Sequence, residues 1–133
     1  MASWDDVRAI ATALPETTER VGGHDGTLGW RVRDKSFAWE RPLRRGDLAA
    51  LAARGEPAPD GPVLAVRVAD LGVKDALLAD DPAVYFTIPH FNGYPAILVH
   101  LDAIEVAELR ELLVEAWLHR APKRLAAEYL KDD

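Results

Sequence analysis

Apolar positions recur along this chain with two different periods, and the switches between them mark out its elements. Trp4, Val7, Ile10, Ala11 and Leu14 follow the spacing of an amphipathic helix, Ser3 and Asp6 have the form of a capping box in front of it, and Pro15 ends it. Leu28 to Arg33 and Ser36 to Arg41 read as two strands, and the two residues between them, Asp34-Lys35, have the length of a hairpin loop. In that register Arg33 faces Ser36, Val32 faces Phe37 and Trp30 faces Trp39. The large apolar side chains then share one face, and Arg31 projects from the other. An extended piece around Glu19 to His24 precedes the hairpin, joined to it through Gly22-Gly23 and Asp25-Gly26.

Further along, Leu43 to Ala53 predicts a short helix and Arg54 to Pro62, rich in proline and glycine, a surface loop. Val63 to Val68 is a β-branched run with Arg67 on the opposite face from Val66 and Val68. Asp70 to Ala79 predicts a helix stopped by Asp80-Asp81-Pro82. Val84 to Ile88 and Ala96 to Leu101 are the last strands, joined by the turn-rich stretch Pro89 to Pro95. The strongest helical stripe is Val106, Leu109, Leu112, Leu113, Ala116 and Trp117, with Glu105, Glu108, Glu111 and Glu115 outside it. Pro122 opens a final helix carrying Leu125, Ala126, Tyr129 and Leu130. Hairpin-joined strands with helices gathered at the ends predict one α+β domain over residues 1–133. Its architecture is two layers, a mainly antiparallel sheet of about five to six strands packed with helices.

Composition narrows the chemistry. A chain of 133 residues that is 49% hydrophobic has enough apolar side chain for one core. With no cysteine, disulfides, thiolate catalysis and cysteine-ligated metals drop out. The opening residues carry no signal-peptide pattern and no window approaches the ~18 apolar residues of a membrane span, so a cytoplasmic protein without a membrane partner is expected. Sixteen Lys and Arg against 22 Asp and Glu give a formal net charge of −6, which repels a polyanion at long range. Any nucleic-acid contact has to rest on a local patch.

Two such patches exist. Between Arg20 and Arg45 there are seven basic residues, Arg20, Arg31, Arg33, Lys35, Arg41, Arg44 and Arg45, against Asp25, Asp34 and Glu40. A second cluster, Arg120, Lys123, Arg124 and Lys131, opposes only Glu128. A hairpin with a basic outer face suits phosphate contact, which makes Arg31, Arg33, Lys35, Arg44 and Arg45 the candidate nucleic-acid-binding residues. The bland reading is a solvated edge protected by charge.

Catalytic patterns are missing. Ser3 and Ser36 are the two serines, and a cap and a turn account for them; there is no P-loop and no dinucleotide fingerprint. His24, His90, His100 and His119 are scattered without metal-ligand spacing. The acidic pairs Asp5-Asp6, Asp80-Asp81 and Asp132-Asp133 fall at helix ends and the tail, where they cap and solubilise. A protein without catalytic residues, metal or cofactor is expected. An alternative to nucleic acid is a small-molecule or peptide pocket near residues 89–95, with Tyr85, His90, Tyr94 and Trp117 as its recognition groups. Pairing through an edge strand leaves monomer and homodimer both open.

The stretch Asp80 to Leu101, with its Tyr-Phe-Thr-Ile-Pro-His-Phe-Asn-Gly-Tyr-Pro run, followed by Glu108-Leu-Arg-Glu-Leu-Leu and Ala116-Trp117, resembles the MmcQ/YjbR-like family. The first helix ending Leu14-Pro15-Glu16 and the hairpin Trp30 to Trp39 are similar to that family's opening, so the resemblance spans nearly the whole chain. It implies a compact fold similar to type III secretion chaperones, with a double-wing arrangement of the kind associated with DNA binding. It supplies no catalytic residues.

Overall fold

Helix α1 (Trp4–Ala13) starts where expected: the Ser3 hydroxyl accepts the Asp6 backbone N–H, and the Asp6 carboxylate accepts the Ser3 backbone N–H at 2.9 Å. The computed structural model describes residues 1–22 and 26–132; the linker through Gly23, His24 and Asp25 lies outside them. Three strands follow, β1 (Thr17–Gly22), β2 (Thr27–Val32) and β3 (Lys35–Glu40), then α2 (Arg45–Ala53) and β4 (Val63–Arg67). Asp70 caps α3 (Leu71–Asp80), its carboxylate accepting the Val73 N–H at 2.9 Å. The chain finishes with β5 (Tyr85–Phe86), a 3₁₀ turn at Pro89–Phe91, β6 (Ala96–His100), α4 (Val106–Arg120) and α5 (Lys123–Asp132).

The six strands form one antiparallel sheet in the order β1-β2-β3-β4-β6-β5, so the α+β architecture is as the pattern predicts. The strand expected over Val84 to Ile88 pairs only at Tyr85 and Phe86. Beyond them the chain turns into Pro89, which has no N–H to offer a ladder.

The main core lies on one face of the sheet. There Val7, Ile10 and Leu14 of the first helical segment, and Leu109, Leu113, Ala116 and Trp117 of α4, close over Trp30, Val32, Phe37, Leu64, Val66, Ile97 and Val99. Trp117 and Trp30 are fully buried, and each indole N–H is satisfied, Trp117 by the Pro15 carbonyl at 3.1 Å and Trp30 by Glu19 at 2.9 Å. Tyr129 of α5 packs on Trp117 with ring centroids 5.1 Å apart.

A smaller core lies on the opposite face, where Leu51 of α2, Ile88 and Phe91 cover Val63, Ala65, Ala96 and Leu98. This cover stops short of β1 and β2.

The hairpin departs from the expected register. Its loop is Arg33-Asp34, not Asp34-Lys35, and Arg33 takes a left-handed φ of 55°. Val32 pairs with Lys35, Arg31 with Ser36, Trp30 with Ala38 and Gly29 with Trp39, with a bulge at Phe37. The extra residue turns both Phe37 and Ala38 toward the main core and sends Trp39 to the other face. Trp30 and Trp39 therefore lie on opposite sides of the sheet.

Candidate functional site

The bulge brings aromatic and basic side chains together. Trp39, half-buried on the second face, sits 6.4 Å from Phe91 and 6.5 Å from Tyr94, ring centroid to centroid. Phe91 meets Tyr94 edge-on at 5.5 Å. Phe91 is buried beneath this group, whereas Tyr94 and His90 are exposed. In front of them Trp39, Arg41, Arg44, His90 and Tyr94 line a cavity of about 420 Å³.

Three cations hold the 89–95 loop in place. Lys74, only 4% exposed, donates from Nζ to the carbonyls of Phe91 at 2.6 Å and Tyr94 at 2.9 Å. Burial pushes its ammonium below the usual lysine range. Arg67 donates to the Pro95 carbonyl at 3.2 Å and lies over the Tyr94 ring, 5.1 Å from its centroid. Arg41 lies 5.5 Å from the Phe91 centroid, and its guanidinium is held by Asp47 at 3.1 Å and by the Pro42 carbonyl at 2.7 Å. The Asp47 carboxylate also accepts the Arg44 N–H at 2.9 Å, which fixes the start of α2.

The five arginines and lysines expected on one surface are divided. Arg31, paired with Ser36, projects from the second face. Arg44 lines the cavity and Arg45 is exposed beside it on the first turn of α2. Arg33 is engaged by Glu16 at 2.8 Å, and the mutual hydrogen bond and charge hold that carboxyl below its usual range. Lys35 faces Val32, a residue of the main core, and so belongs to the other side of the sheet. A basic wing using all five is not formed, because the two-residue loop lies one position earlier than expected.

The expected pocket of Tyr85, His90, Tyr94 and Trp117 does not assemble either. Trp117 is sealed in the main core, and Tyr85 lies on the same side, its hydroxyl bonded to the Glu108 carboxylate. Burial, reinforced by that carboxylate, pushes the Tyr85 phenol well above its usual range. His90 and Tyr94 are across the sheet.

Two residues outside the candidate set stand at the edge of the second face, Arg67 on β4 and Arg120 at the end of α4. Arg67 and Arg120 come close enough for Arg67 to lower the Arg120 pKa, after burial as the larger cause, and Arg120 donates to the Ser36 carbonyl at 3.2 Å. Neither has a carboxylate partner within ion-pair distance among the described residues. The strand alternation around Val66 and Val68 already pointed Arg67 to this face; nothing local in the sequence brings Arg120 beside it.

Among the described residues no group of three or more His, Asp or Glu is placed to hold a metal ion, and no helix is long and apolar enough to cross a membrane.

A six-stranded antiparallel sheet with a bulged hairpin, closed on one face and partly open on the other, defines a class of small α+β domains. Within that class the chain belongs to the YjbR family, whose model matches residues 12–119. It is 55% identical over 130 residues to the uncharacterized protein Rv2570 of Mycobacterium tuberculosis, covering 98% of this chain and 97% of that one. The uncharacterized protein Mb2600 of Mycobacterium bovis matches with the same identity and coverage. The crystal structure of Deinococcus radiodurans protein DR2400, with domain DUF419, is similar at a TM-score of 0.65 and 24% identity, over 89% of this chain and 78% of that one. That likeness is one of fold.

Proposed function

We propose that this protein is a non-enzymatic nucleic-acid-binding domain that takes exposed DNA bases on the open face of its sheet. The observation that carries this reading is the position of Trp39 and Tyr94 on the same face as Arg31, Arg67 and the α2 arginines. An aromatic ring supplies a sequence-tolerant stacking surface worth about 1–3 kcal/mol per base, and adjacent guanidinium groups neutralise the backbone. Arg44 and Arg45 sit at the N-terminal end of α2, where the helix dipole adds positive potential to their own. Helix α4, with Glu108, Glu111 and Glu115, covers the other side, so much of the acidic excess lies away from this surface.

Unpaired bases suit this surface better than an intact duplex. The hairpin tip is tied down through Arg33 and Glu16, which removes the most prominent cation from groove insertion. Fluorescence anisotropy with labelled single-stranded and duplex DNA at low salt tests the reading. Single strands bind more tightly, and affinity falls with salt by about 0.7 log units per log unit for each phosphate contact. Tyr94→Ala lowers affinity without changing that slope, whereas Arg31→Gln lowers the slope by about one contact. No anisotropy change with either DNA at low salt overturns the proposal.

A further inference from the structure

A second concavity lies on the far side of the sheet, between α3 and α4, with a volume of about 640 Å³. The two helices run in opposite directions along it: the Leu71 end of α3 follows Arg67, beside the C-terminal residues of α4, and the Asp80 end lies near Tyr85 and Glu108. Its floor is apolar, made by Val68, Val73, Leu77 and Leu112. Val73 is 41% exposed and Leu71, at the same end of α3, 45%, so nothing among the described residues covers this side.

The rim is acidic and graded. Asp80, Glu108 and Glu111 occupy the end where α3 stops and α4 starts, Glu115 follows along α4, and Arg67 and His119 close the opposite end. Glu108 receives the Tyr85 hydroxyl, and none of Asp80, Glu111 and Glu115 has a cationic partner within ion-pair distance among the described residues. Asp80 is also the last residue of α3, and that last turn contains no basic residue. The negative end of the helix dipole and the carboxylates thus reinforce one another, an arrangement that disfavours folding and that a bound cation would relieve.

We propose that this groove binds a small amphiphilic cation. Its apolar body lies along Val73, Leu77 and Leu112, and its ammonium group sits among Asp80, Glu108 and Glu111. Charge complementarity selects the head group, since an anionic or neutral head would leave the carboxylates uncompensated. The apolar floor selects the body, since a bare metal ion or an extended polyamine would leave those side chains against water. The volume lies in the range of small-molecule sites.

Four probes separate these contributions: n-octylammonium, n-octanol, octanoate and spermine, each titrated by calorimetry and by amide chemical shifts. The expected result is saturable octylammonium binding on the order of tenfold tighter than octanol, with octanoate weaker still. Shifts concentrate on Leu77, Asp80, Tyr85, Glu108, Glu111 and Leu112, away from Arg67, which stands at the opposite end of the groove and also on the DNA-binding face, and leave Trp39 and Tyr94 unmoved; this keeps the site distinguishable from the DNA-binding proposal. Glu111→Gln, a change at an exposed position, weakens octylammonium about threefold or more and leaves octanol unchanged. Equal affinity for octanol would mean that only apolarity is read; equal affinity for spermine would mean that only charge is read. Either result, or shifts lying elsewhere, overturns the proposal.

Discussion

The two faces of the sheet are built from the same strands and end up with opposite properties. On the main-core face almost every inward residue is apolar and buried, and the indole nitrogens of Trp30 and Trp117 and the Tyr85 hydroxyl each find an acceptor. On the second face a buried ion pair, Arg41 with Asp47, and a buried amine, Lys74, hold a loop of aromatics at the edge of an uncovered half-sheet. One face is a solution to packing. The other spends polar groups on keeping a surface in shape, and that contrast is what the DNA-binding proposal builds on.

The contrast can be broken most severely from the main core. Trp117→Ala removes a fully buried side chain and costs about 3–5 kcal/mol in a denaturant titration. Its DNA affinity per folded molecule stays unchanged if the faces are functionally separate. Next, Asp47→Asn leaves Arg41 buried without its partner, at a cost of about 3 kcal/mol, and here stability and DNA affinity fall together. A variant that lost stability but kept full affinity would detach the ion pair from the binding surface.

A smaller effect sharpens the comparison through pH. Glu19 accepts from Arg8 and Trp30, and these hydrogen bonds hold its carboxyl below the usual 4.5. A depressed folded-state pKa means that stabilisation is present above the unfolded value and lost as pH falls through the folded one. Glu19→Gln therefore costs about 1 kcal/mol at neutral pH, and the gap to the parent protein closes below pH 4.5. Constant separation of the two unfolding curves down to acid pH would contradict it. Smallest is Arg45→Glu, which replaces a cation on the first turn of α2 by an anion that suits the helix dipole. Thermal melts should show a gain of about 0.3–1 kcal/mol while single-stranded DNA affinity drops, opposite signs that only a functional surface produces.

Much of this fold is legible from spacing, because periodic burial leaves a periodic trace. The stripe from Leu109 to Trp117, the cap at Ser3 and the run Val63 to Val68 appear in the structure as they read in the chain. The hairpin is different. Strict alternation places Trp39 beside Trp30, and a single bulged residue at Phe37 reverses the outcome. Nothing local marks Phe37 as a bulge, and the loop before it carries its left-handed φ on an arginine in place of glycine, so neither shift in register is legible. That one position decides whether a tryptophan is core or surface, so the candidate site was less legible than the fold. His90 and Tyr94 were found through the composition of their loop, whereas the approach of Arg120 to Arg67 depends on how α4 crosses the sheet, a tertiary fact.

The clasp between Glu16 and Arg33 has a consequence for how the chain is handled by proteases. Both residues adopt left-handed backbone, with φ of 52° and 55°, and the Arg33 N–H also donates to the Glu16 carbonyl at 3.1 Å. Together they buckle the segment carrying β1 and β2 into a closed loop without a covalent bond. Because the Arg33 partnership is what depresses the Glu16 carboxyl, acidification unfastens the side-chain half of the buckle. The exposed tip at Arg33-Asp34-Lys35 is therefore expected to be cut by trypsin faster in Glu16→Gln than in the parent protein, because the hydrogen bond that fixes its conformation is weakened.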